Sequence, residues 1–246
     1  MELADPRFWT LAVVVAGAFA VEATTGFGAT VLAVTLGVHL FPLGELLPVI
    51  VPLGLTLSGF NAWRLRGHVD RTLLLRRILP LMGAGLVIGL AIFERASSGA
   101  LQRAYGVFVV GVAASELWRM RHADAAVRPL PPLATRSAIL GAGVIHGLFS
   151  SGGPLLVYAL GRLGIEKAVF RATLSTVWLV LGAALTAAYA WNGRVGRETL
   201  LASATLVPVL GLALVAGEWA HHRLDEARFR QFVYALLVVA GLTNVL

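Results

Sequence analysis

Apolar residues run along this chain in long blocks, and polar positions interrupt them at two kinds of place: short arginine-rich loops, and two glycine-rich breaks inside blocks that are otherwise continuous. The breaks are Thr24-Thr25-Gly26-Phe27-Gly28 and Ser150-Ser151-Gly152-Gly153-Pro154. Each interrupts an apolar run of about 30 residues where a membrane-spanning helix needs about 20, so each run reads as two helical pieces joined by irregular backbone. Residues 8–22 and 29–41 are the first pair, 137–149 and 155–163 the second. With roughly 13 to 15 residues, the longer pieces reach only about 20 Å, too little to cross a ~30 Å hydrocarbon core alone. Full spans are expected at 43–63, 78–93 with an extension back through 73, 100–118, 168–191, 200–219 and 229–246.

The order of elements repeats: a broken element and three spans, then a polar stretch with the stiff Arg128-Pro129-Leu130-Pro131-Pro132 core, then a broken element and three spans again. Residue matches support duplication. Gly67 and Arg71 correspond to Gly193 and Arg197, and Pro80, Gly83 and Gly89 to Pro208, Gly211 and Gly217. The expected organisation is a single membrane transport domain, 1–246, with repeat 1 at 8–119, a linker at 120–135 and repeat 2 at 136–246. The fold class is an all-α polytopic membrane protein: two repeats of a broken, re-entrant helical hairpin plus three transmembrane helices.

Composition agrees with that class and narrows it. Hydrophobic residues make up 58% of the chain and charged residues 13%, against about a quarter charged in a soluble domain. The absence of cysteine excludes disulfides, thiolate metal sites and cysteine nucleophiles. The net charge of +7 does not point to nucleic acid, because the Lys and Arg residues sit in short loops where they set topology. No basic n-region or small-residue cleavage site precedes the first apolar run, so the first helix reads as mature protein. No metal or cofactor is expected.

Those loop charges also choose between two topologies. If both broken elements turn back as hairpins, the basic residues of 64–77, 119–136, 162–171 and 223–230 gather on the cytoplasmic side; if both cross, they spread more evenly. The hairpin arrangement gives three crossings per half, which inverts the second half relative to the first. Both termini are then expected outside the cytoplasm, the linker inside, and the two hairpin tips entering from opposite faces to meet near the midplane.

Broken helices in lipid survive only where protein or a watery cavity satisfies their backbone, and paired breaks point to a transporter's binding site. A helix beginning at each break offers free amides and a positive dipole end, which suit an anion. Candidate substrate-binding residues are Thr24, Thr25, Gly26, Phe27 and Gly28, and Ser150, Ser151, Gly152 and Gly153. Against this stands the plain alternative that small residues let membrane helices pack closely. Glu22 and His146, each four residues before its break, are candidates for proton coupling, with sodium as the alternative ion; both residues could equally supply a cap or an interhelical hydrogen bond. Asn61, Arg171, Ser175 and Trp178, with Thr173 and Thr176, are candidate path-lining or helix-bridging positions. Ser150 and His146 lie within reach on one helix face, which leaves an intramembrane hydrolase open as an alternative, though no third orienting group is apparent. A passive anion channel is the other alternative.

Several of these features together resemble the TauE/SafE sulfite-exporter-like family of membrane permeases, also called the toluene sulfonate uptake permease family. They are the break Gly26-Phe27-Gly28, the loop Trp63-Arg64-Leu65-Arg66-Gly67-His68-Val69-Asp70, the entry Arg171-Ala172-Thr173, and the two four-element halves. The resemblance covers essentially the whole chain. It implies a non-enzymatic transporter in the cell inner membrane that carries small sulfur-containing anions such as sulfite, sulfoacetate or other organosulfonates. A small anionic substrate and the lipid bilayer are the partners expected, with a homodimer as a candidate assembly and no nucleic acid.

Overall fold

The computed structural model describes residues 1, 3–25, 28–122, 129–221 and 225–245, with backbone alone at 23–25, 218, 220, 221, 226, 227 and 230. Helices are the only regular elements among the described residues. They are α1 (Pro6–Thr25), α2 (Ala29–Gly37), α3 (Leu43–Arg64), α4 (Arg71–Phe93), α5 (Ser98–Arg121), α6 (Pro132–Phe149), α7 (Gly153–Leu160), α8 (Lys167–Trp191), α9 (Arg197–His221) and α10 (Glu226–Thr243). Among the described residues, four stretches are long and apolar enough to cross a membrane: Leu43–Arg64, Arg71–Phe93, Lys167–Trp191 and Arg197–Gly217. The chain is thus a polytopic helical membrane protein. Helix α5 has the length of a span, 24 residues, but is diluted by polar residues such as Gln102, Arg103 and Glu116, and the apolar part of α10 is only Gln231–Thr243.

The arms of the broken elements differ from the expected lengths. Helix α1 has 20 residues and α6 has 18, whereas α2 has 9 and α7 has 8. At 1.5 Å per residue α1 is about 30 Å long, enough to cross a hydrocarbon core, so the two arms are not equal half-spans. The extra turns come from the ends. Pro6 and Pro132 sit in the first turn, where a missing amide hydrogen costs nothing, so each helix begins earlier than its apolar run. Nothing before Gly26 breaks α1, which therefore runs on through Thr25.

Two compact units emerge from the packing. The first comprises Met1–Ile50, Ala96–Ala125 and Gly196–Leu246. In it α1 packs mainly on α9 and α2, and α5 on α10. Phe8, Leu11, Val15 and Phe19 form the buried stripe of α1, while Trp9 and Val13 on the other side are exposed, as a lipid-facing surface would be. Helix α2 runs back along α1: a Cβ on Gly37 would stand 3.2 Å from Leu11 Cδ1. Buried polar groups find local partners, with the Tyr105 hydroxyl donating to the Val31 carbonyl at 3.0 Å and the Ser203 hydroxyl to Val49 at 3.0 Å. Asn244 Nδ2 donates to the Thr35 carbonyl at 3.2 Å.

The second unit comprises Val51–Arg95 and Ala126–Val195. Its centre is the crossing of α4 and α6, the most extensive helix contact in the chain. Two Gly-x-x-x-Gly pairs build it, Gly85 with Gly89 on α4 and Gly143 with Gly147 on α6. A Cβ would lie 2.3 Å from Leu140 O at Gly85, 2.2 Å from Val144 O at Gly89, 2.3 Å from Met82 O at Gly143 and 2.3 Å from Leu86 O at Gly147. Backbone lies on backbone. In lipid, where tails are as apolar as leucine, such close approach and not hydrophobicity drives association. Helix α4 contains a π turn, Leu74–Ile78, immediately before Pro80. The wider turn accommodates a ring that would otherwise meet the carbonyl four residues back. Asp70 caps α4 by accepting from Leu73 N–H at 2.9 Å, and its own N–H donates to Thr173 Oγ1 of α8 at 3.3 Å.

Candidate functional site

At the first break, α1 ends at Thr25 and α2 begins at Ala29, with Gly28 as its N-terminal flanking residue in the left-handed region at φ 102°. The space around Gly28 is open, since an added Cβ would meet nothing within 4 Å, so glycine is required by conformation alone. Gly28 has no side chain to cap α2. That task falls to Glu22, half-buried one turn before the break, whose Oε2 accepts from the Ala29 N–H at 2.8 Å. A carboxylate thus sits at the positive end of a short intramembrane helix, as an N-terminus favours. Gly26, Phe27 and the side chains of Thr24 and Thr25 lie outside the described residues.

The second break is built differently. Its left-handed residue is Ser150, at φ 52°, the one non-glycine with positive φ among the described residues. Such a conformation costs an L-residue roughly 1–2 kcal/mol. The Ser150 N–H closes the last turn of α6 on the His146 carbonyl at 2.8 Å. Gly152 is right-handed, with φ −68°, so its glycine is needed for space: a Cβ there would lie 2.2 Å from Ala142 O of α6. Glycine thus serves conformation at Gly28 and space at Gly152. Helix α7 returns along α6, with a Cβ on Gly141 falling 3.2 Å from Leu155 Cδ2.

His146 lies against this turn. It is buried, 4% exposed, and neither ring nitrogen has a hydrogen-bond partner among the described residues. A Cβ on Gly152 would stand 3.0 Å from His146 Cβ. The imidazole faces the Trp178 indole with ring centroids 5.4 Å apart, and Trp178 Cζ2 lies 3.7 Å from where a Cβ on Gly153 would sit. His146, Trp178, Gly152 and Gly153 therefore form one cluster. Ser151 is buried, and its hydroxyl is turned onto the Phe149 carbonyl at 2.9 Å, so that donor is engaged by the chain itself. Among the described residues no hydrogen bond joins the Ser150 hydroxyl to the His146 ring, and the contact an intramembrane hydrolase would use is missing from the described geometry.

Other sequence candidates fall elsewhere. Arg171 is exposed in the first turns of α8, seven residues before Trp178, or about 10 Å along the axis. Thr173 is buried and holds the Asp70 amide, while Thr176 bonds back to the Ala172 carbonyl at 2.9 Å, so both serve as helix-bridging or local acceptors and donors. Asn61 and Ser175 are half-buried. The α4–α6 crossing was not anticipated from sequence although it positions His146, which lies between Gly143 and Gly147. The Gly-x-x-x-Gly spacing was the available signal.

The profile of the family Sulfite exporter TauE/SafE matches residues 10–243. The chain belongs to this family. Among its relatives, the probable inner membrane transporter protein TsaS of Comamonas testosteroni is 26% identical over 196 residues, covering 78% of each chain. The probable sulfite/organosulfonate exporter TauE of Cupriavidus necator is 26% identical over 258 aligned positions, covering 100% of this chain and 96% of the other. No solved structure matches the chain. TauE/SafE proteins are membrane transporters, so the clusters at the two breaks belong to a chain that moves a small solute across a bilayer.

Proposed function

We propose that this chain is a secondary active transporter of sulfite and organosulfonates in the inner membrane, not an enzyme, and that its anion site is built at the glycine-rich breaks. The observation that carries the reading is the Glu22 carboxylate on the Ala29 amide at 2.8 Å. An oxyanion is already bound there by the amide of a broken helix, which is the chemistry a sulfur oxyanion needs. The printed names of the two relatives supply the substrate class.

The same reading takes the chain as one transport domain of two inverted repeats, 8–119 and 136–246. Exchange packing supports duplication: the first arm of the first hairpin lies on the second span of the second half, α1 on α9, and the counterpart pair is α6 on α4, the second span of the first half. Both termini are placed outside the cytoplasm. A reporter fused after residue 246 that is active only in the cytoplasm would contradict that orientation.

Protons are the proposed coupling ion, with Glu22 as the titrating group, because a protonated carboxyl is a weaker acceptor for Ala29. The test is flux in liposomes containing the purified protein, with sulfite, thiosulfate, methanesulfonate and acetate, with and without a pH gradient. Saturable, gradient-dependent flux of the sulfur anions is expected, and Glu22→Gln should keep flux while losing gradient dependence. Non-saturating flux indifferent to the gradient would establish a channel instead. Preference for acetate would refute the substrate class.

A further inference from the structure

We propose that the two breaks are not equivalent: the SO3 headgroup shared by sulfite and sulfonates lodges at the second break, between the His146 imidazole and the first turn of α7. The first break is kept filled by the chain's own Glu22 carboxylate. This rests on the sulfur-anion reading above and assigns that anion a place.

At the first break the leading amide of α2 has an internal acceptor, Glu22 Oε2 at 2.8 Å from Ala29 N. At the second no acidic side chain precedes the turn, and the equivalent position is His146. The leading residues of α7 are Gly153, Pro154 and Leu155, and the amides of Gly153 and Leu155 have no intrahelical acceptor. Beside them stands a buried imidazole with both nitrogens unpartnered. A neutral histidine carries one N–H donor and one acceptor nitrogen, so this corner of the fold holds an imidazole donor beside two amide donors, with no carboxylate to accept from them. Trp178 closes the side of the cluster, its indole facing the imidazole and its Cζ2 lying 3.7 Å from where a Cβ on Gly153 would sit. Three oxygens on one sulfur offer acceptors for a ring N–H and two amides, and a site without a fixed cation holds an anion loosely enough to release it.

The test uses the full-length protein in detergent with sulfite and methanesulfonate as probes. Binding is measured by calorimetry, unfolding by a thermal melt with and without probe, and the histidine ring nitrogens by 15N NMR. His146→Leu fills the same space and removes the donor. It is expected to melt no lower than wild type without probe, to bind both probes at least tenfold more weakly, and to lose the probe-induced rise in melting temperature. His146→Gln restores a donor and should recover part of the affinity. In wild type one histidine ring resonance, absent from His146→Gln, should shift on adding sulfite. Unchanged affinity in His146→Leu with no shifting ring resonance would overturn the assignment while leaving the sulfur-anion reading intact. Failure of wild type to bind either probe would remove both. Should His146→Leu not fold, His146→Gln and the wild-type ring resonances decide the matter.

Discussion

A single methyl group at the α4–α6 crossing should cost more than any surface change in this protein. Gly143 is the position to alter, because a Cβ there would stand 2.3 Å from the Met82 carbonyl oxygen, and Met82 Cα lies 2.7 Å away. Ordinary carbon–oxygen contact begins near 3.4 Å, so Gly143→Ala requires the helices to part by about 1 Å, since neither obstacle is the movable end of a side chain. Overpacking of this kind costs about 1–3 kcal/mol. Parting would also loosen the reciprocal contacts of Gly85, Gly89 and Gly147, which depend on the same interaxial distance. Gly83 is the internal control. It lies on α4 two residues before Gly85, a Cβ there meets nothing within 4 Å, and Gly83→Ala should be neutral or stabilising by up to about 1 kcal/mol from helix propensity. Unfolding in mixed micelles, titrated with denaturing detergent and followed by tryptophan fluorescence, measures both. Equal midpoints for Gly143→Ala and Gly83→Ala would refute the account of the crossing. Because His146 lies between Gly143 and Gly147, Gly143→Ala should also weaken sulfite binding, whereas Gly83→Ala should not.

Two further outcomes follow from the geometry. Gly28→Ala should destabilise by roughly 1–2 kcal/mol through its left-handed φ, with Gly28→Asn milder, whereas Gly152→Ala should be worse for a steric reason that asparagine does not relieve; a thermal-melt series over the four variants would show whether asparagine rescues only Gly28. Glu94, beyond the end of α4, is held below the usual carboxylate range by hydrogen bonds from the Arg194 guanidinium and then from Asn192, opposed by partial burial. A depressed carboxyl contributes stability above its unfolded value near 4.3 and loses it as pH falls through the folded value, so Glu94→Gln should remove at most about 1 kcal/mol at pH 7 and progressively less as the pH is lowered towards 3 and below. An equal deficit at both pH values would refute the ion-pair account.

Much of the fold is legible along the chain and less of it across the chain. Helix positions follow from apolar blocks and their terminators, and the breaks from Gly26 and Gly152. Lengths were misjudged where Pro6 and Pro132 allowed helices to start inside polar sequence. Which helix faces which is harder to read because lipid is as apolar as a core, so the lipid-facing Val13 and the buried Val15 look alike in sequence. Small residues carry that information, and the two Gly-x-x-x-Gly pairs stood in plain view. At the site, Glu22 and His146 were visible as ionisable residues in apolar helices, and Trp178 as an amphipathic neighbour. Their partners were not visible: the Glu22 acceptor reaches across the turn to Ala29, and the Ser151 hydroxyl turns away to Phe149.

The two ionisable residues occupy matching places and answer the same physical demand in opposite ways. A helix that begins inside a membrane presents amide donors that water cannot reach, so something must accept from them. Glu22 is an acceptor and meets that demand for α2. His146, when neutral, brings one more N–H donor beside amides that have no carboxylate to accept from them, and a buried ring with two unpartnered nitrogens costs about 1–3 kcal/mol for each group left unsatisfied. Leucine there would spare the fold that cost. A histidine at this position is therefore unfavourable for the resting protein alone and favourable once an outside acceptor arrives. An acceptor with several oxygens and a delocalised negative charge fits that requirement, and the first break keeps one of its own.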